Sequence, residues 1–299
     1  MNEQHEAIGP RVRRSGQVYI PRTLGGFEDL WFYRTAQKHT QHVILAGPPG
    51  SGKSAGAEAA FDSVPEGEEF PASRPMGMYT LLGTESTTVD DFVGSYTQDP
   101  DTGLFKWVHG PLVRSILEDV PFFIDEVAQI DPRVLTIMYP LMDGRGVLEV
   151  VQNPSLDPFR IGPNWFVLGA YNPDVPGAVI SEALSDRFDH AIEIETDWNL
   201  ARSLGVDSRI VGVAENLNIQ RQKGNISWSP QFRSLMSFRK NHQIYGFNYA
   251  VQNLIGKTPK DDRGILIDAL AGDKIGAVNA RVPLRLGAQY TQDKDDFGD

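Results

Sequence analysis

Residues 47–54 read GPPGSGKS, a full match to G-x-x-x-x-G-K-[S/T]. This stretch constrains the fold because it works only between a buried strand and a helix. Both are predicted around it. Residues 42–46, HVILA, are a short apolar run suited to a strand buried on both faces. Residues 54–61 are rich in small helix formers. Gly47, Gly50 and Gly52 let the backbone curl until its N–H groups face an anion. Pro48, Pro49 and Ser51 complete the loop. The helix N-terminus behind it adds positive potential. Lys53 would reach the β- and γ-phosphates of a nucleotide, and the Ser54 hydroxyl would bind Mg²⁺. The alternative, a flexible loop matching by chance, does not account for the strand and helix on either side.

A second feature needs the first to explain it. Residues 121–127 read PFFIDEV, so Asp125 and Glu126 stand at the tip of an apolar run. Buried charge is costly unless something positive meets it. A metal-bound nucleotide is that partner: Asp125 holds Mg²⁺ through water, and Glu126 polarises the attacking water as general base. The bland alternative is an N-cap pair for the next helix. Asp131, ahead of Pro132, serves as cap better.

Around these motifs, strands are predicted at 78–82, 121–124, 165–170 and 191–195, with a hairpin strand at 147–151. Helices are predicted at 28–39, 54–61, 113–117 and 134–142. Such alternation predicts an α/β class with a parallel sheet. From Trp198 onward helical spacing dominates. The expected organisation is an extended, irregular segment at 1–27, a nucleotide-binding core at 28–197, a helical lid at 198–285 and an acidic, disordered tail at 286–299 ending DKDDFGD.

The chain has 299 residues and no cysteine, which excludes disulfides, thiolate metal sites and Cys nucleophiles. No H-E-x-x-H or Ser-His-Asp pattern for protease or zinc chemistry is recognisable, and the six histidines are scattered. Residues 1–20 are polar, with no signal-peptide pattern, and no apolar run approaches the ~20 residues of a membrane span. A soluble, cytoplasmic protein without membrane partners is expected. The net charge of −11 lowers the expectation of nucleic acid as a partner without removing it.

These residues resemble the AAA+ ATPases, in particular the MoxR-like branch of P-loop proteins: a three-layer α/β sandwich followed by a small helical lid. HVILAGPPGSGKS and FFIDEV resemble its Walker A and Walker B segments. HGPLVRSILED (109–119), MYPLMDGRGVLEV (138–150), VLGAYNPD (167–174) and SEALSDRFDH (181–190) follow in the family's order. The subgroup most resembled is the CbbQ/NirQ/NorQ/GvpN type, over about residues 17–255. The resemblance implies Mg-ATP as ligand and sensor 1 at Asn172, orienting the lytic water; a turn role before Pro173 is the alternative. It also implies an arginine finger at Arg187 that enters a neighbouring subunit. The alternative there is a local salt bridge to Asp186 or Asp189. Arg145 is a weak substitute for a second finger. Arg233 is the candidate sensor 2, with Arg239 as alternative. A backbone segment near Val18–Tyr19 would touch the adenine. Phe105 and Trp107 lie where relatives carry a pore-facing insert; both rings packing as core is the competing reading.

The function implied is a ring-forming motor or chaperone, a homo-oligomer and specifically a hexamer, that remodels a client or adaptor protein. In this subgroup such a partner often carries a von Willebrand type A domain. Two alternatives stand beside it: a nucleic-acid-associated motor, for which Arg11, Arg13 and Arg14 are the local basic element, and an ATP-switched assembly scaffold with slow hydrolysis.

Overall fold

The computed structural model describes residues 6–277 and 280–285. The chain divides into two compact units, Met1–Glu195 and Thr196–Asp299.

The first unit is built on a five-stranded sheet. Its strands are β1 (Val43–Ala46), β2 (Tyr79–Leu82), β3 (Phe122–Asp125), β4 (Val167–Tyr171) and β5 (His190–Glu193). They lie in the order β5-β1-β4-β3-β2, and every pairing is parallel. Successive side chains point to opposite faces. Phe122 and Ile124 therefore join Ile44 and Val167 in one core, while Phe123 joins Val43, Leu45 and Leu168 in another. The helix Pro111–Leu117 covers the first face through Leu112, Val113 and Ile116. The helices Asp29–Lys38 and Lys53–Phe61 cover the second through Leu30, Tyr33, Ala57 and Ala60. Burial on both faces is why these strands read as unbroken apolar runs. Parallel pairing also brings the carboxyl ends of β1, β3 and β4 to one edge, where α/β sheets bind ligands.

Three features differ from the sequence reading. Residues 6–27 are not irregular throughout: Arg11–Arg13 pairs with Val18–Tyr19 and with Ser63–Pro65 in a small antiparallel sheet. Strands of two or three residues are too short to show periodicity. The strand predicted at 147–151 shrinks to Val147–Leu148, paired with Phe159–Arg160. A hairpin of Gly94–Gln98 and Phe105–His109 appears as well. In it Phe105 is 70% exposed, whereas Trp107 packs edge-on against Tyr96 and onto the core. Core packing thus holds for Trp107 alone.

The second unit contains the helices Trp198–Ser203, Ser208–Gln222, Phe232–Tyr245, Phe247–Lys257 and Arg263–Gly272. Asp197 and Asp207 cap the first two by accepting backbone N–H groups at 2.8 and 2.9 Å. Ile210, Ala214 and Leu217 recur at helical spacing and meet Leu235, Leu254 and Leu266 in a separate core. The acidic tail at 286–299 lies outside the described residues. Among the described residues, no helix is long and apolar enough to cross a membrane.

Candidate nucleotide site

The loop between β1 and the helix Lys53–Phe61 is fixed by local constraints. At Gly47 a Cβ would sit 2.3 Å from the Ile194 carbonyl oxygen, so only glycine fits. Gly52, at the helix N-cap, has φ 101°, a conformation that L side chains rarely adopt. Lys53 is 6% exposed; its ammonium donates to the carbonyls of Gly47 at 2.6 Å and Pro48 at 3.2 Å. The Ser51 hydroxyl is buried and has no hydrogen-bond partner.

Ser54 and Asp125, distant in sequence, meet here. The Ser54 hydroxyl donates to Asp125 Oδ2 at 2.7 Å. Asp125 Oδ1 accepts the Glu126 N–H at 3.1 Å. Glu126 itself takes φ 55°, a left-handed conformation costing a non-glycine residue about 1–3 kcal/mol. It ends β3 and opens the short turn Val127–Gln129. The two acids are thus half-buried at the sheet edge, one tied to the phosphate loop and the other turned away from the strand.

Asn172 follows β4, whose Tyr171 carbonyl accepts the Gly47 N–H at 3.2 Å. Asn172 is buried, and its Oδ1 accepts the Asp174 N–H at 3.1 Å. That bond is the turn geometry weighed from sequence. Phe188 is buried in the core and holds Arg187 beside it. The Arg187 guanidinium lies 3.9 Å over the Tyr139 ring, donates to the Ala183 carbonyl, and leaves Nε buried without a partner. The local salt bridge to Asp186 or Asp189 does not form; the Asp189 carboxylate accepts the His42 N–H instead. Arg145 pairs with Asp143 at 2.6 Å. Arg233 and Arg239 both stand in the second unit, on Phe232–Tyr245.

The donor set fits Mg²⁺ and a polyphosphate. Ser54 and Asp125 offer two hard oxygens side by side, and Mg²⁺ takes few protein oxygens, completing its shell with phosphate and water. The glycine curl and the unpaired Ser51 hydroxyl form a cradle for anionic oxygen.

The model of the AAA domain, dynein-related subfamily, matches residues 42–188, from the start of the strand before the loop to Phe188. Protein NorQ of Paracoccus denitrificans is 24% identical over 54% of this chain and 55% of its own length. Denitrification regulatory protein NirQ of Stutzerimonas stutzeri is 22% identical over 62% of this chain and 65% of its own. The chain carries an AAA domain and resembles the MoxR-like branch of the AAA+ family. The alignments with NorQ and NirQ span less than two thirds of those proteins. An uncharacterized protein of Staphylococcus saprophyticus, 23% identical, is covered over 93% of its length and 82% of this chain.

One group in this AAA+ chain escaped sequence reasoning. Arg22, Tyr19 and Asp29 form a buried network against the phosphate loop. Burial pushes the Tyr19 and Tyr33 hydroxyls well above their ordinary range, so both stay neutral. No motif announces such a network, because its members meet only through the packing of residues 19–33 on the loop.

Proposed function

We propose that this ATPase is the Mg-ATP-dependent subunit of a ring, a hexamer, that remodels or activates a partner protein, including one with a von Willebrand type A domain. The observation that carries the ATP site is the 2.7 Å contact between Ser54 and Asp125 at the head of the phosphate-loop helix. When bound, Mg²⁺ neutralises charge on the β- and γ-phosphates. Residues 47–52 supply backbone donors. Lys53, curled over the loop, offers its cation to the same phosphates. Asp125 and Ser54 orient the metal. Glu126 takes the proton of the attacking water, and Asn172 orients that water. Arg233 is offered as sensor 2 on resemblance alone.

Arg187 is assigned to the neighbouring subunit's site. Its support is the lack of a direct ion pair: among the described residues no salt bridge reaches Arg187, a π-face and one carbonyl hold it, and the nearby Asp143 carboxylate is paired with Arg145 instead. A protein partner is favoured over nucleic acid because the local basic element is spent internally. Arg13 pairs with Glu58 at 2.7 Å and Arg14 with Asp62 at 2.6 Å, in a chain of net charge −11.

The test is ATP turnover per chain against protein concentration, with sedimentation on the same samples. Turnover is expected to rise as rings form. Arg187→Ala is expected to lose ~10³–10⁵ in rate while the ring persists. Turnover that is flat with concentration and indifferent to Arg187 would sink the shared-site reading.

A further inference from the structure

Arg22 is a largely buried cation, its side chain 14% exposed, in an unusual place. Its guanidinium Nη1 donates to the Ser51 carbonyl at 2.8 Å, in the middle of the phosphate loop. Its Nε reaches the Tyr19 hydroxyl at 3.1 Å and Asp29 Oδ2 at 3.5 Å. Its Nη2 is buried with no partner, 3.5 Å from where a Cβ of Gly52 would lie. The support is itself fixed. Asp29 is 4% exposed; it accepts from the Tyr19 hydroxyl, and its Oδ1 accepts the Arg22 N–H at 3.0 Å. The Asp29 N–H returns to the Arg22 carbonyl at 2.9 Å. The guanidinium is therefore held from behind by two side chains and aimed at one peptide.

Stability explains this arrangement poorly. A buried ion pair gains little over apolar packing, and an unpaired buried donor costs about 1–3 kcal/mol. The geometry of the gripped peptide supplies another reason. A peptide unit is planar and trans, so its C=O and the following N–H point in opposite directions. Because Arg22 holds the Ser51 carbonyl, the N–H of Gly52 in the same peptide points away from Arg22, the orientation that would face a phosphate inside the loop. Inside the loop is where a nucleotide's β-phosphate needs donors.

We propose that Arg22 is a positioning residue of the nucleotide site, a guanidinium that sets the Ser51–Gly52 peptide and thereby tunes affinity for the nucleotide's β-phosphate. The proposal rests on residues 47–54 binding nucleotide, and its test separates the two.

Arg22→Lys keeps a charge beside Asp29 but cannot grip Tyr19, Asp29 and Ser51 together. Binding isotherms with a fluorescent Mg-ADP report two quantities, affinity and the fraction of chains that bind. A positioning role predicts that Kd rises about tenfold, which is ~1.4 kcal/mol, at unchanged stoichiometry. A merely structural role predicts fewer competent chains at unchanged Kd, and that result overturns the proposal. Should Arg22→Lys not fold, Tyr19→Phe removes one support of the guanidinium without touching a charge. It is expected to raise Kd in the same direction by a smaller factor, and an unchanged Kd there overturns the proposal equally. If the wild-type chain itself fails to bind Mg-ADP, the assignment of the nucleotide site fails first, and Arg22 falls with it.

Discussion

At the scale of single residues, His42 shows how one buried side chain sets a response to pH. It stands just before β1, buried, with Nδ1 accepting the Val167 N–H at 3.1 Å. A proton on Nδ1 would break that bond. Burial lowers its pKa from 6.5 to about 4, against an opposing pull from Asp189. The folded chain thus binds fewer protons than the unfolded one below pH 6.5. Stability from this group is fully present above that value and is lost as pH falls toward 4. The expected loss between pH 7 and pH 5 is about 2 kcal/mol. Denaturant midpoints at the two pH values, for wild type and His42→Gln, check it. The variant should lose less over the interval, and equal losses would discard the assignment. Glu126 makes a second point at this scale. Its left-handed backbone is a strain that stability alone does not require. Glu126→Gln is expected to cut turnover by ~10²–10⁴ while leaving Mg-ATP binding intact, as equilibrium binding and steady-state rates would show.

At the scale of elements, the hairpin of Gly94–Gln98 and Phe105–His109 is only partly covered by the core. Trp107 faces the core, while Tyr96, Leu104, Phe105 and Val108 are exposed. Strand alternation puts Phe105 and Trp107 on the same face, yet Phe105 lies at the open tip, beyond the edge of the core. Phe105→Ser is therefore expected to change unfolding free energy by no more than ~0.5 kcal/mol, and Trp107→Ser by several times that. Denaturation of the two variants side by side decides. A large loss at Phe105 would mean the tip packs against something in solution. The same scale shows which elements sequence can announce. β1, β3 and β4 were legible as apolar runs because both their faces are covered. The strands Arg11–Arg13 and Val18–Tyr19 were not, because so few residues show neither period nor apolar run.

At the scale of the whole molecule, net charge bears on the proposed assembly. Copies carrying −11 each repel one another. The proposed ring should therefore tighten as salt rises from roughly 20 to 150 mM, where the Debye length falls to about 8 Å. Sedimentation velocity across that range tests this, and dissociation with added salt would instead mark complementary ion pairs as the glue. What the sequence determined by itself is the local chemistry. GPPGSGKS dictates a curled backbone, because glycine readily adopts the positive φ found at Gly52, which L side chains rarely adopt. FFIDEV puts two acids at the end of a buried strand. Those are properties of a few adjacent residues. The tertiary structure alone decided what crosses the chain. Parallel pairing of β1, β4 and β3 brings Ser54 within 2.7 Å of Asp125, packing lays Arg187 over Tyr139, and the Asp29 network aims Arg22 at Ser51. Spacing along a sequence carries no such information, because distances between side chains far apart in the chain are set by which faces bury against each other.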